Sequence, residues 1–193
     1  MKKKLQIFVS STYIDLKDER QAAVEAILKS GNIPAGMELF TAGNDSQLTT
    51  IKRWIDDSDI YFLILGGRYG SIESKSQKSY TELEYDYAKS INKPTFAVVI
   101  TPEHLEQKVK ENGSSFIEKD NNDKLKAFKG KVLNNISSFY NSTNDIKLTI
   151  HETLADFKER YEFTGWIPGD NETKTSKLFE ENLRLKEKII QLE

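Results

Sequence analysis

The chain has 193 residues, enough for one domain with a substantial core, and 30% of them are charged against 37% apolar. A net charge of −2 and a pI near 5.9 leave no electrostatic footprint for nucleic acid. The absence of cysteine excludes disulfides, thiolate metal sites and a cysteine nucleophile. The opening MKKKLQIFV starts like a signal peptide, but its apolar run stops short of the roughly 7–15 residues a signal needs. No stretch reaches the roughly 18 apolar residues of a membrane span. A cytoplasmic protein with no membrane or nucleic-acid partner is expected.

In chain order, LQIFV (5–9) is the first predicted strand. A helix follows over 14–29, with Leu16, Ala23, Val24, Ile27 and Leu28 on one stripe and Gly31 as its C-terminal cap. AGMELF (35–40) is a weaker strand, and a helix over 46–57 carries Leu48, Ile51 and Ile55. IYFLIL (60–65) is the next strand; a helix over 79–91 carries Leu83, Tyr87, Ala88 and Ile91; TFAVVI (95–100) is the fourth strand. The last two strands are almost continuously apolar, as strands buried on both faces are. Alternation of strand and helix predicts an α/β parallel sheet in the order 2-1-3-4, with a fifth strand at IKLTI (146–150). PEHLEQKVKENG, DKLKAFKGKVLNNI and HETLADFKERYEF (151–163) are predicted helices.

The pattern assigns an α/β domain to residues 1–165, a linker to 166–174 and the start of a coiled-coil-like helix to 175–193. Leu178, Leu185 and Leu192 recur every seven residues, with Asn182 and Ile189 at the intervening a positions. That is the signature of a parallel two-stranded coiled coil, hence of a homodimer. The other solution for the same stripe is a single amphipathic helix packed on the domain.

In an open parallel sheet, ligands bind beyond the carboxyl ends of the strands, where the strand order reverses. Two loops meet there: SSTYIDLKDER (10–20) and GGRYGSIESKSQKSYTE (66–82). Ser10, Ser11 and Thr12 before a helix offer an anion site; equally, Thr12 can cap the helix, with Asp15 completing a capping box. Arg20 falls on the apolar stripe, where a charge must snorkel out or find a partner. Gly67 permits close backbone approach, Arg68 suits a phosphate, and Tyr69 suits a base. The loop is neither a P-loop nor a dinucleotide fingerprint.

Glu82 and Glu84 both fit capping boxes, with Ser79 and Thr81 respectively. Helical phase separates them. Glu82 shares a face with Asp86 and Lys89 and is expected to point to water. Glu84 shares a face with Ala88 and Ile91 and is expected to point into the crevice, where a carboxylate can attack an anomeric carbon or stabilise an oxocarbenium-like state. His104, His151, Trp54 and Trp166 read as packing or surface residues, and Asp56, Asp57 and Asp59 as the solvated end of a helix.

The segments IFVSSTYIDLKDER, SDIYFLILGGRYG and SYTELEYDYA together resemble a bacterial and eukaryotic domain family of unassigned function, over residues 4–100. That family is often attached to the amino end of signalling ATPases of the NACHT/STAND type. It is similar to TIR domains and nucleoside 2-deoxyribosyltransferases, which implies a flavodoxin-like sheet in the order 2-1-3-4-5. In the transferases the nucleophilic Glu follows a Thr by three residues and precedes an Ala by four, as Glu84 stands to Thr81 and Ala88. NAD-cleaving TIR domains similarly place a Glu in the helix after the third strand. Asp86 stands where the transferases carry Gly, and the Trp-Cys element of TIR domains is absent.

The resemblance implies a nucleotide-binding effector domain of a signalling or antiviral defence protein, cleaving the N-glycosidic bond of NAD or a related nucleotide. Glu84 would be the nucleophile or oxocarbenium stabiliser. Ser10, Ser11, Thr12, Arg20, Gly67, Arg68, Tyr69, Tyr80 and Thr81 would hold the substrate. Phosphate or ribose would fall to Ser10, Ser11 and Arg68, and the base to Tyr69 or Tyr80. The nucleotide would be substrate or ligand, with no separate cofactor and no metal. The alternative is a non-catalytic homotypic interaction module joined through the tail. A metal-dependent nuclease fits less well, for want of clustered ligands and a basic face.

Overall fold

The computed structural model describes residues 3–36, 47–167 and 172–190. Five strands, β1 (Gln6–Ser10), β2 (Ile33–Ala35), β3 (Ile60–Leu65), β4 (Thr95–Ile100) and β5 (Ser137–Tyr140), form one sheet in the order β2-β1-β3-β4-β5. Every pairing is parallel: Ile7 stands opposite Ile60, Phe62 opposite Phe96 and Val99 opposite Phe139. The crossovers contain α1 (Lys17–Lys29), α2 (Gln47–Asp57), α3 (Tyr80–Ser90), α4 (Pro102–Asn112) and α5 (Asn122–Leu133). Helices α6 (Thr143–Arg160) and α7 (Glu172–Ile190) follow. The order 2-1-3-4-5 is the one expected of a flavodoxin-like sheet.

Successive side chains of a strand point to opposite faces, and the core splits accordingly. Ile7 and Val9, with Ile60, Phe62, Ile64, Phe96, Val98 and Ile100, pack against Ala23 and Ile27 of α1 and Ile146, Ile150, Leu154 and Phe157 of α6. Phe8, Tyr61, Leu63, Leu65, Ala97 and Val99 pack on the other face against Ile51 and Ile55 of α2, Tyr85 and Ala88 of α3, and Phe128 and Val132 of α5. The same alternation aims Ser10, in phase with Phe8, toward α3, and Ser11, in phase with Val9, toward α1.

Four expectations need correcting. Residues 146–150 lie inside α6: Ile146, Ile150, Leu154 and Phe157 recur at helical spacing on its buried face, and Ser142 caps the helix by accepting from the Asp145 N–H at 3.3 Å. The fifth strand is instead the short SSFY segment of β5, a sheet edge with two exposed residues and little apolar pattern to announce it. Helix α1 begins at Lys17, not residue 14; Leu16 occupies its N-cap position and no side chain caps it, so of the two roles open to Thr12 the helix cap does not form. Of the expected stripes, Leu28 and Ile91 are both exposed, each sitting at a helix's C-terminal end.

The predicted strand over 35–40 is observed at its first residue only, since residues 37–40 lie outside the described ones. Gly31 ends α1 as expected. It adopts φ +75°, and the Asn32 and Gly31 N–H groups bond to the carbonyls of Ile27 and Leu28, the double closure of a Schellman motif. Trp166 pairs antiparallel with Lys4, two backbone hydrogen bonds that tie the segment after α6 to the entrance of β1. Asp59 does more than solvate a helix end. Its carboxylate accepts from the Gln6 N–H at 2.8 Å and the Gly165 N–H at 3.1 Å, joining three segments at the amino ends of the strands.

Candidate functional site

The strand order reverses between β1 and β3, and the ends of these two strands meet the head of α3. Ser79, fully buried, caps α3 by accepting from the Glu82 N–H at 3.1 Å. The cap fixes the phase of the first turn, so Thr81, Glu84 and Ala88 face inward together. Glu84 is 2% exposed. The Ser10 hydroxyl at the end of β1 donates to Glu84 Oε2. Burial raises the carboxyl's pKa to about 7, against the pull of the Ser10 hydrogen bond and the Arg20 charge.

Arg20 reaches the same strand end from the opposite face of the sheet. Its guanidinium donates to Ser11 Oγ at 2.8 Å and to the Val9 carbonyl at 3.3 Å, and its 4% exposure shows that it does not snorkel to water. Tyr61 of β3, which the sequence presents only as part of an apolar strand, completes the surroundings of Glu84. It stacks on Phe8, and both burial and the Glu84 charge raise its phenol pKa well above the usual value. No sequence signal marks this role, because an inward tyrosine on a buried strand looks like filler.

Above this buried layer lies a cleft of about 170 Å³ lined by Ser11, Thr12, Asp15, Arg68, Tyr80 and Thr81, among others. Glu84 lies one helical turn, about 4.5 Å along the axis, below Thr81 and is not part of the cleft lining. Gly70 makes the close approach possible. Its φ is +94°, and a Cβ there would stand 3.0 Å from Thr12 Cγ2 and 3.6 Å from Thr81 Oγ1.

Two predicted residues lie elsewhere. Tyr69 is 1% exposed; its ring meets Phe128 edge-on and its hydroxyl donates to Glu82 Oε2 at 2.5 Å, so it presents no face to a base. Gly67 lies under the segment after α4, where a Cβ would meet the Phe116 carbonyl and a Leu105 methyl, each at 2.5 Å. Its role is to let that segment close over the loop. Glu118 completes the brace: its N–H donates to the Gly67 carbonyl at 2.7 Å and its carboxylate accepts from the Tyr69 N–H at 2.8 Å.

Glu82 is corrected outright. It is 8% exposed rather than solvated, because α5 packs over that face of α3 and brings Lys131 to 2.6 Å from Glu82 Oε1 and 2.9 Å from Asp86 Oδ1. His104 stacks edge-on against Tyr140, and His151 contacts Ser30 Oγ at 2.9 Å. Among the described residues, no group of three or more His, Cys, Asp or Glu could hold a metal ion, and no helix is long and apolar enough to cross a membrane.

Comparison with solved structures places this architecture among TIR-like folds. The TIR domains of the activated Roq1 resistosome, which directly recognises the pathogen effector XopQ, superpose with a TM-score of 0.52 at 12% identity, covering 78% of this chain and 99% of that one. A conserved protein from Enterococcus faecalis aligns with a TM-score of 0.47 at 12% identity, covering 78% of this chain and 99% of its own. No curated protein sequence matches the chain. The family model described as "Domain of unknown function (DUF4062)" matches residues 6–155, so the chain belongs to that family.

Proposed function

We propose that this is a nucleotide-binding TIR-like domain that cleaves the N-glycosidic bond of NAD or a related nucleotide, with Glu84 as the reacting carboxylate. The observation that carries the proposal is the Glu84 carboxyl itself. It is sealed at the strand-order switch, bonded by Ser10, faced by Arg20 and shifted to a pKa of about 7. A carboxyl in an apolar layer costs folding energy, and perturbed groups of this kind concentrate at functional sites. The cleft above it supplies hydroxyls and the Arg68 guanidinium for the sugar and phosphate.

In this mechanism, movement of the Ser11–Thr12 segment admits the anomeric carbon to Glu84. The carboxylate attacks that carbon, the C–N bond breaks, and the base leaves with the bonding pair. Water then hydrolyses the glycosyl ester, restoring the carboxylate and releasing the sugar. The test is release of free base from NAD, ATP or nucleosides by wild type and Glu84→Gln at high protein concentration.

A second role is favoured by α7. Leu178, Leu185 and Ile189 of the heptad stripe, with Phe179 and Leu183 beside it, are 47–66% exposed. We propose that this stripe joins two copies of the chain as a parallel coiled coil and brings two domains together. Leu192 of the same pattern lies outside the described residues.

A further inference from the structure

Asp15 is the group in the crevice that the fold does not explain. It is 2% exposed and lines the cleft, yet neither carboxylate oxygen completes a hydrogen bond. Thr12 Oγ1 is likewise buried without a completed bond; it stands near enough to the carboxyl to act as a long, weak donor, which lowers the carboxyl's pKa against the burial that raises it overall. Lys108 does not neutralise the carboxyl directly: its ammonium binds Glu19 and, at 2.9 Å, the Asp15 backbone carbonyl. Arg68, half-buried in the lining of the same cleft, interacts electrostatically with Asp15 but forms no hydrogen bond or ion pair among the described residues. Gly66 lets the carboxyl lie flat against the loop, since a Cβ there would stand 3.1 Å from Asp15 Oδ2.

A buried acceptor pair left open is costly unless something donates to it. The cleft, about 170 Å³, has room for one sugar ring, with the rest of a nucleotide extending beyond its open mouth. We propose that Asp15, Thr12 and Arg68 form a ribose-phosphate subsite. The carboxylate accepts both hydroxyls of a vicinal diol, and Arg68 takes the phosphate. The subsite rests on the nucleotide reading of the crevice and narrows its ligand class to ribonucleotides. A 2-deoxy sugar leaves one acceptor unpaired and is rejected, as sites built around a hydroxyl reject the analogue lacking it.

The test is an NMR titration of the full chain with methyl ribofuranoside 5-phosphate, its 2-deoxy counterpart and methyl ribofuranoside. None carries a base, so the result is independent of whether Glu84 cleaves anything. Wild type is expected to bind the ribo phosphate at least about tenfold more tightly than the 2-deoxy phosphate. Asp15→Asn should erase that preference, and Arg68→Gln should erase the advantage of the phosphate over the free riboside. Equal binding of the two phosphates by wild type would overturn the subsite even if Asp15→Asn failed to fold. So would absence of binding, or a preference that survives in folded Asp15→Asn.

Discussion

Glu84 shows how one residue carries both a cost and a use. Its carboxyl titrates near 7 when folded, against an ordinary value of 4.5. The folded state therefore holds a proton that the unfolded chain releases between pH 4.5 and 7, and stability falls as pH rises through that window. Above it the penalty is about 3 kcal/mol. Glu84→Gln, which keeps a partner for Ser10 and cannot ionise, should gain stability over wild type by about that amount at pH 8 and by little at pH 4. Urea denaturation of both proteins at the two pH values measures the difference. A gain independent of pH would mean that Glu84 is not the titrating group. The sequence showed this residue through helical phase alone. It could not separate Glu82 in the same way, because the Lys131 that buries Glu82 arrives from a helix some fifty positions downstream.

Elements differ in how plainly they are written in the chain. β3 and β4 are dense runs of β-branched and aromatic residues and appear within their predicted bounds; β5 is SSFY, held at the sheet edge by partners on β4, and has no pattern of its own. Helix α6 is half visible in the sequence, and IKLTI, less than a turn and a half near its start, reads as a strand because a short apolar run fits both periods. The 66–70 loop shows the reverse case. Its glycines suggested ligand contact, whereas Gly67 serves packing beneath Leu105 and Phe116, a fact invisible without the partner segment. Gly67→Ala forces a Cβ to 2.5 Å from a backbone carbonyl, which cannot swing aside as a side chain can. It is expected to cost about 1–3 kcal/mol of unfolding free energy. A midpoint unchanged in thermal denaturation would contradict the brace.

At the scale of the whole molecule, one sheet and two apolar layers fix the strand-order switch. That is why the crevice could be located from the alternation of elements before any side chain was placed. Asp15 is the residue of the crevice least legible in the sequence: its spacing reads as helix capping, and only the later start of α1 frees it to line the cleft. The tail belongs to this scale too. Removing residues 173–193 should leave the α/β fold intact and turn a dimer into a monomer in light scattering after gel filtration. A dimer that persists would assign self-association to the domain surface instead.

The most direct test of the whole account is base release from NAD by concentrated wild-type protein beside Glu84→Gln. Free nicotinamide from wild type, reduced at least about a hundredfold in a folded Glu84→Gln protein, is the predicted result. Equal release by both proteins, or none by either, would contradict Glu84 as a glycosidic nucleophile.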